Sequence, residues 1–205
     1  MIRGLQYLNH TRPNIESEVG IVDRFQDDPK EYHYVAVKRI FRYLKGTSNY
    51  EIWYDRSSDF TLCTYTNVDW VGSMDDRKRI KGGAFFLGGR LVSWLRKKKY
   101  CISQSSTEAE YVATPNNCNQ VMWMKKLLKD IRIEIKEPII IYYNNTSTMS
   151  MSKNHVFHSK TMHISIKYHV LREKAIEKEI RLGYVSTKDQ ISYIFTKPLP
   201  KDTFE

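Results

Sequence analysis

The sequence predicts an α/β fold in which a mixed five-stranded sheet with flanking helices is preceded by a two-helix segment. Hydrophobic residues recur every three to four positions in the first 56 residues, which is typical of amphipathic helices. After residue 59 they alternate instead, as in strands, and two adjacent glycines mark a hairpin turn. A long helical pattern and two strands separated by further helices follow, which favours βαβ crossovers and a mixed sheet.

The first helical pattern runs from Asn14 to Phe25, directly after Pro13, a residue well suited to the first turn of a helix. The sequence Asp27-Asp28-Pro29 ends it. A second pattern covers Tyr34 to Leu44, and Gly46 follows as the expected residue just beyond the C-cap. These features predict two helices.

Three antiparallel strands are predicted next. Phe60–Thr66 alternates between apolar and polar residues. Gly82–Leu87 and Arg90–Trp94 flank the pair Gly88-Gly89, and such a pair favours a tight hairpin turn. The three strands are therefore expected to be neighbours in the sheet.

A long helix is predicted to begin at Ser106 or Thr107, because Glu108 and Glu110 would interact favourably with the positive end of its dipole. Pro115 is expected to kink or split this helix, since an interior proline costs about 3 kcal/mol. The rest of the chain is predicted as strand, helix, helix, strand and short helix, at residues 139–143, 147–152, 165–178, 180–185 and 189–195.

Charge is distributed unevenly along the 205 residues, which carry 33 Lys+Arg against 23 Asp+Glu, a formal net charge of +10. Residues 1–56 hold nine basic against eight acidic side chains, whereas residues 57–205 hold 24 against 15. Charge and hydrophobic period thus both differ between residues 1–56 and residues 57–205. The basic second part indicates a polyanionic partner, nucleic acid above all.

Composition also argues against several classes of protein. No apolar run approaches the ~20 residues that cross a bilayer, and the N-terminus lacks a secretory signal pattern. The three cysteines are widely spaced, which disfavours a disulfide framework or a thiolate zinc site. We therefore expect an intracellular protein, cytoplasmic or nuclear. Four histidines crowd one region but match no zinc-finger spacing: His155, His158, His163 and His169.

Long ordered strings extend along nearly the whole chain. They are Tyr7–Ile15, Lys38–Thr47, Thr66–Gly72, Asp75–Lys78, Val92–Trp94 with Lys97–Lys99, Ser105–Tyr111, Tyr143–Asn145, Phe157-His158, His163-Ile164, Tyr168-His169, Asp189-Gln190 and Ile194–Pro200. From Thr66 onward they resemble the RNase H domain that ends the Pol polyprotein of copia-type LTR retrotransposons. The first two strings look like the final helices of the preceding reverse transcriptase. Residues 1–56 are therefore interpreted as its helical remnant and residues 57–205 as the RNase H-like domain.

This resemblance implies an RNase H-like fold and endonucleolytic cleavage of the RNA strand in RNA–DNA hybrids. It also implies Mg²⁺ as cofactor, with the hybrid and the upstream reverse transcriptase segments as partners. Such cleavage uses two metal ions held by anionic oxygens. The four carboxylate positions of the family correspond here to Asn67, Glu108, Asn144 and Tyr193, so Glu108 alone retains its acid.

We predict that metal-dependent cleavage is abolished or nearly so, because the formal charge of the ligand set falls from −4 to −1. Each of the three replacements is one base change from an Asp codon. One alternative is an active Mg²⁺-dependent enzyme that uses Asp69, Glu108 and Asp189: Asp69 shares a strand face with Asn67, and Asp189 precedes Tyr193 by one helical turn. Another alternative is a non-catalytic nucleic-acid-binding or interaction module.

A basic run follows the third predicted strand. It comprises Arg96, Lys97, Lys98 and Lys99. Contact with phosphates is one interpretation, because Lys and Arg provide most of the nonspecific affinity for nucleic acid. A solvated turn is the other interpretation, and the sequence favours neither.

Overall fold

The computed structural model describes residues 1–56, 59–69, 80–98, 106–144 and 173–196, with the backbone alone at residues 68, 69, 98 and 106–115. The predicted helix at 147–152 and most of the one at 165–178 lie outside these ranges. Residues 173–176, at the end of the second, are helical.

The N-terminal segment contains three α-helices where the sequence predicted two: α1 (Ile2–Leu8), α2 (Glu16–Val22) and α3 (Glu31–Gly46). The predicted helix from Asn14 to Phe25 is α-helical only in its middle, because 3₁₀ turns at Pro13–Ile15 and Asp23–Phe25 form its two ends. Such tighter turns are common at helix termini. The helices bury a small apolar core of Leu5, Ile15, Val19, Val22, Val37 and Ile40.

Within the described residues the sheet has five strands, in the spatial order β3-β2-β1-β4-β5. β1, β2 and β3 pair antiparallel, and β4 and β5 are parallel to β1. This arrangement confirms the predicted fold class. The strands are β1 (Leu62–Asp69), β2 (Ile80–Leu87), β3 (Arg90–Lys98), β4 (Ile139–Tyr143) and β5 (Ile180–Tyr184).

Helix α4 (Ser106–Asp130) packs on one face of the sheet and runs through Pro115 as one element. Of the predicted kink or split, the split is therefore wrong: proline removes one backbone donor, and the turns that follow it pack into the main core through Cys118, Val121 and Leu128. The kink stays a prediction. Asn117 lies against Gly83 of β2, at 3.0 Å from where a Cβ would be. The main core lies between α4 and the sheet and includes Leu62, Phe85, Cys118, Val121, Leu128, Ile139 and Ile141.

The opposite face of the sheet carries a 3₁₀ helix, Ile191–Phe195, called the 191–195 helix below. It begins two residues later than predicted and is 3₁₀ throughout. Gly82 permits its close approach, because a Cβ there would lie 2.7 Å from Thr196 Cγ2 and 2.8 Å from the Ser192 carbonyl oxygen. Within the described ranges, no helix combines the length and the apolar character needed to cross a membrane.

Candidate active site

The three substituted positions of the predicted metal site lie together in the structure. β1 and β4 are parallel neighbours, so Asn67 near the end of β1 and Asn144 just after β4 share one edge of the sheet. Asn144 Nδ2 donates to Tyr193 Oη at 2.5 Å, and Asn67 Nδ2 donates to Thr196 Oγ1 at 2.8 Å. Thr196 Oγ1 in turn donates to the Tyr193 carbonyl at 3.2 Å. We call Asn67, Asn144, Tyr193 and Thr196 the polar cluster.

Gln190 fixes the position of the 191–195 helix that supplies Tyr193. Its Nε2 donates to the carbonyl oxygen of Thr66 on β1 at 3.1 Å. Its Oε1 accepts from the hydroxyl of Ser192 at 2.8 Å and from the backbone N–H of the same residue at 3.4 Å, which caps the helix. One buried side chain therefore both starts the helix and ties it to the central strand.

The polar cluster is neutral and largely withdrawn from solvent. Asn67 and Thr196 are each 3% exposed, and Asn144 and Tyr193 are half-buried. Asn144 Oδ1 is buried and has no hydrogen-bond partner among the described residues. A 180° rotation of the amide would let the phenol donate to Oδ1 instead, so one bond between the two side chains persists in either orientation.

The remaining predicted acids are only partly described. Glu108 lies in the first turn of α4 and Asp69 is the last residue of β1, paired with Ile80, but both side chains lie outside the described part of the chain. Asp189 is exposed and accepts a hydrogen bond from Ser186 Oγ at 2.6 Å, in a turn that follows β5. The alternative site of Asp69, Glu108 and Asp189 therefore stays a prediction.

The described side chains are poorly suited to coordinate a pair of magnesium ions. Mg²⁺ prefers charged oxygen ligands, and two adjacent divalent cations need several carboxylates to balance their charge. At three of the four positions where the resemblance predicts carboxylates, the chain has two amides and a phenol, engaged in hydrogen bonds within the polar cluster. Among the described side chains no group of three or more His, Cys, Asp or Glu is placed to hold a metal ion.

The basic run at the end of β3 is divided between two environments. Arg96 is half-buried against α2, and a Cβ added to Gly20 would lie 2.6 Å from Arg96 Nη1. Lys97 is exposed, whereas the side chain of Lys98 and the whole of Lys99 lie outside the described residues. Arg96 faces the N-terminal helices. Of the two described side chains in the basic run, Lys97 is therefore the one that a phosphate can reach.

The contact between Arg96 and α2 brings acids and bases together in a half-buried place. Burial raises the pKa of Glu16 to about 7, and the charge and backbone N–H of Arg96 oppose this rise. Burial likewise raises the pKa of Glu18 and lowers that of Arg96. Nε and Nη2 of Arg96 have no hydrogen-bond partner among the described residues. Desolvation therefore outweighs ion pairing at this contact.

Two features of the site were not predicted from the sequence. Thr196 belongs to the string Ile194–Pro200 that carries the resemblance, but nothing local indicates that it accepts a bond from Asn67. Gln190 follows Asp189 just before the helix, and a polar residue at a helix start is a recognisable capping signal. Its second bond, to Thr66 of a distant strand, has no such signal.

Comparisons with known proteins give the following similarities, although no protein-family model matches the chain. The retrovirus-related Pol polyprotein from transposon RE1 of Arabidopsis thaliana is 37% identical over 205 residues, all of this chain and 14% of that protein. Its counterpart from transposon TNT 1-94 of Nicotiana tabacum is 35% identical over 195 residues, 95% of this chain and again 14% of that protein. The chain thus spans about one seventh of these relatives.

A search of solved structures found an RNase H1, LC11, in complex with an RNA/DNA hybrid. It has a TM-score of 0.45 and 11% sequence identity, and the match covers 63% of this chain and 88% of that one.

Proposed function

This chain belongs to the copia-type, retrovirus-related Pol polyproteins, and from that premise we propose that its RNase H-like domain has lost most or all metal-dependent cleavage of RNA in RNA–DNA hybrids. We assign this domain to residues 57–205 and the helical end of the reverse transcriptase to residues 1–56. The two apolar cores, one in the N-terminal helices and one under the sheet, support this division.

The polar cluster is the observation that carries the proposal. Cleavage in this family depends on cations held by carboxylates, which activate water and stabilise the leaving oxygen. Asn67, Asn144 and Tyr193 contribute no negative charge; one hydrogen bond joins Asn144 to Tyr193 and another joins Asn67 to Thr196. Glu108 alone cannot balance two divalent cations.

Binding to nucleic acid is a second function that does not depend on the lost carboxylates. Residues 57–205 carry a net charge of +9, and Lys97 is exposed at the end of β3. Such a surface contacts phosphates, while the shape of the groove and the 2′-hydroxyls distinguish an RNA strand. We therefore expect hybrid binding without sequence preference.

A hybrid-cleavage assay in Mg²⁺ and in Mn²⁺ tests the first proposal. The unmodified chain is compared with the triple reversion Asn67→Asp/Asn144→Asp/Tyr193→Asp. We expect the triple reversion to cleave the hybrid more than about 100-fold faster than the unmodified chain. Changing a residue that only supports a metal ligand already costs roughly 10–100-fold in activity, and here the ligands themselves are restored. Glu108→Ala in the reverted chain is the matched control and should abolish the gain, because it removes a ligand the restored site needs.

The same assay decides between the alternatives. Cleavage by the unmodified chain that disappears on Glu108→Ala would overturn the proposed impairment, and its loss on Asp69→Ala and Asp189→Ala would identify the displaced site. Salt-dependent hybrid binding without cleavage supports a non-catalytic binding module. A folded triple reversion that stays inactive would contradict our assignment of the carboxylate positions.

A further inference from the structure

We propose that the polar cluster has become a metal-independent tie that holds the 191–195 helix to the ends of β1 and β4. The folded state of this chain then neither needs divalent cations nor responds to them. This inference rests on the proposed loss of cleavage and adds a role for the residues that replaced the carboxylates.

The bonds of the polar cluster join segments that are far apart in the chain. Asn67 and Thr196 are separated by 129 residues, and Asn144 and Tyr193 by 49. Gln190 adds a bond across 124 residues to the backbone of Thr66. The 191–195 helix is a single short 3₁₀ element, and such a helix depends on tertiary contacts rather than on its own hydrogen bonds.

Charge explains why the tie is independent of metal. Carboxylates gathered at one site repel each other, so one or more of them stays protonated unless a cation neutralises the group. Asn67, Asn144 and Tyr193 remove that repulsion and supply both donors and acceptors. The corner of the sheet is therefore stable without a counter-ion.

Burial makes the tie consequential for stability. Asn67, Gln190 and Thr196 are each 3% exposed, so a partner lost from this network leaves a polar group that water reaches poorly. Tyr193 reaches Asn144 with the full length of its ring, and a shorter Asp at this position would not span the same distance. The replacements at 144 and 193 thus act as a pair.

Thermal unfolding in EDTA, in Mg²⁺ and in Mn²⁺ tests the inference, because a ligand that binds only the folded state raises its melting temperature. We expect the melting temperature of the unmodified chain to be the same in all three. Tyr193→Phe should lower it by about 2–4 °C through the loss of one hydrogen bond. Tyr184→Phe, at an exposed tyrosine of β5, is the matched control and should leave it unchanged.

The triple reversion Asn67→Asp/Asn144→Asp/Tyr193→Asp should melt at a lower temperature than the unmodified chain in EDTA and recover in Mg²⁺ or Mn²⁺. Should it fail to fold, Tyr193→Phe and Asn144→Ala, singly and together, supply the same information. Their effects should be non-additive, because either change removes the same bond. Additive effects would overturn the inference.

A rise in the melting temperature of the unmodified chain with either cation would also overturn it, as would equal effects of Tyr193→Phe and Tyr184→Phe. The two proposals fail separately. Cleavage by the unmodified chain refutes the proposed function whatever the melting temperature does. Stabilisation by metal without cleavage refutes only the metal-independent tie.

Discussion

Glu16 is the first residue of α2 and lies beside Arg96 of β3, where burial favours its neutral form. Burial raises its pKa from the usual 4.5 to about 7, and the charges of Arg96 and His10 act in the opposite direction. Glu18 and Arg24 are the other charged groups at this contact. Because the folded state binds the proton of Glu16 more tightly, the contribution of this residue to stability is greatest below pH 4.5 and decreases as the pH rises towards 7.

Glu16→Gln removes the titration and keeps the shape of the side chain. We expect this variant to be more stable than the unmodified chain by about 1–3 kcal/mol at a pH near 8, where the buried carboxylate is ionised, and nearly equal in stability at a pH near 4. Urea unfolding at both pH values measures the difference. Glu134→Gln, at an exposed acid, should show no such dependence. A difference for Glu16→Gln that is the same at both pH values would contradict this account.

The β2–β3 hairpin shows how an element depends on two glycines for different reasons. Gly88 and Gly89 have φ values of +56° and +78°, so both adopt the left-handed conformation of a tight hairpin turn. Gly88 also lies against the chain that enters β1: its N–H donates to the Thr61 carbonyl at 2.8 Å, and a Cβ would lie 2.0 Å from the Asp59 carbonyl oxygen. Nothing lies within 4 Å of the same position on Gly89.

Asparagine at each position separates these two requirements, since it tolerates the left-handed conformation but has a Cβ. We expect Gly88→Asn to destabilise the protein by about 1–3 kcal/mol more than Gly89→Asn, because the backbone of Asp59 must move. Denaturant unfolding of both variants measures the difference. Equal losses of stability in Gly88→Asn and Gly89→Asn would contradict this account, because they would show that the contact with Asp59 contributes nothing.

The elements that were predicted well are those with a local signal. Ile139–Tyr143 was predicted at its observed bounds because a short apolar run between polar segments indicates a buried strand. The hairpin followed from its two glycines. Helix α1 was missed because it has seven residues, no side-chain cap and one buried side chain, Leu5. A helix so short forms through contacts with its neighbours, which no local pattern reports.

The candidate site was predictable in position but not in its bonds. Resemblance placed Asn67, Asn144 and Tyr193 at one site, and the structure brings them together. That the phenol of Tyr193 bonds to Asn144 depends on the exact position of the 191–195 helix on the sheet. The burial of Arg96 against Glu16 was likewise unpredictable, because it depends on how the N-terminal helices pack against β3.

For the whole molecule, packing changes how much of the basic charge is available to a partner. The chain carries +10, but Arg96 lies beside Glu16 and Glu18 and is half-buried. Lys97 on the same strand is exposed. Affinity for a polyanion therefore depends on which basic groups reach solvent, and the formal charge overstates it.

Hybrid binding should weaken steeply with salt, since phosphate contacts release counterions. We expect Lys97→Ala to weaken binding equally for hybrids of different sequence and to reduce the slope of log affinity against log salt by about one. Arg96→Ala should lower stability while leaving that slope nearly unchanged. Fluorescence anisotropy with labelled hybrids over a salt series measures both effects. A larger change in slope for Arg96→Ala than for Lys97→Ala would place the interface elsewhere.

If cleavage has been lost as proposed, the hydrogen bond between Asn144 and Tyr193 also bears on whether it can return. Each replaced position is one base change from Asp, so the genetic distance to the ancestral site is short. Tyr193→Asp alone, however, breaks the bond while restoring a single carboxylate, which brings loss of stability without a gain in cleavage. Asn67→Asp alone would add a buried charge beside Thr196 before the other ligands exist. Under the proposed loss of cleavage, selection would therefore oppose the first steps of reversion, because each single change lowers stability before it can restore activity.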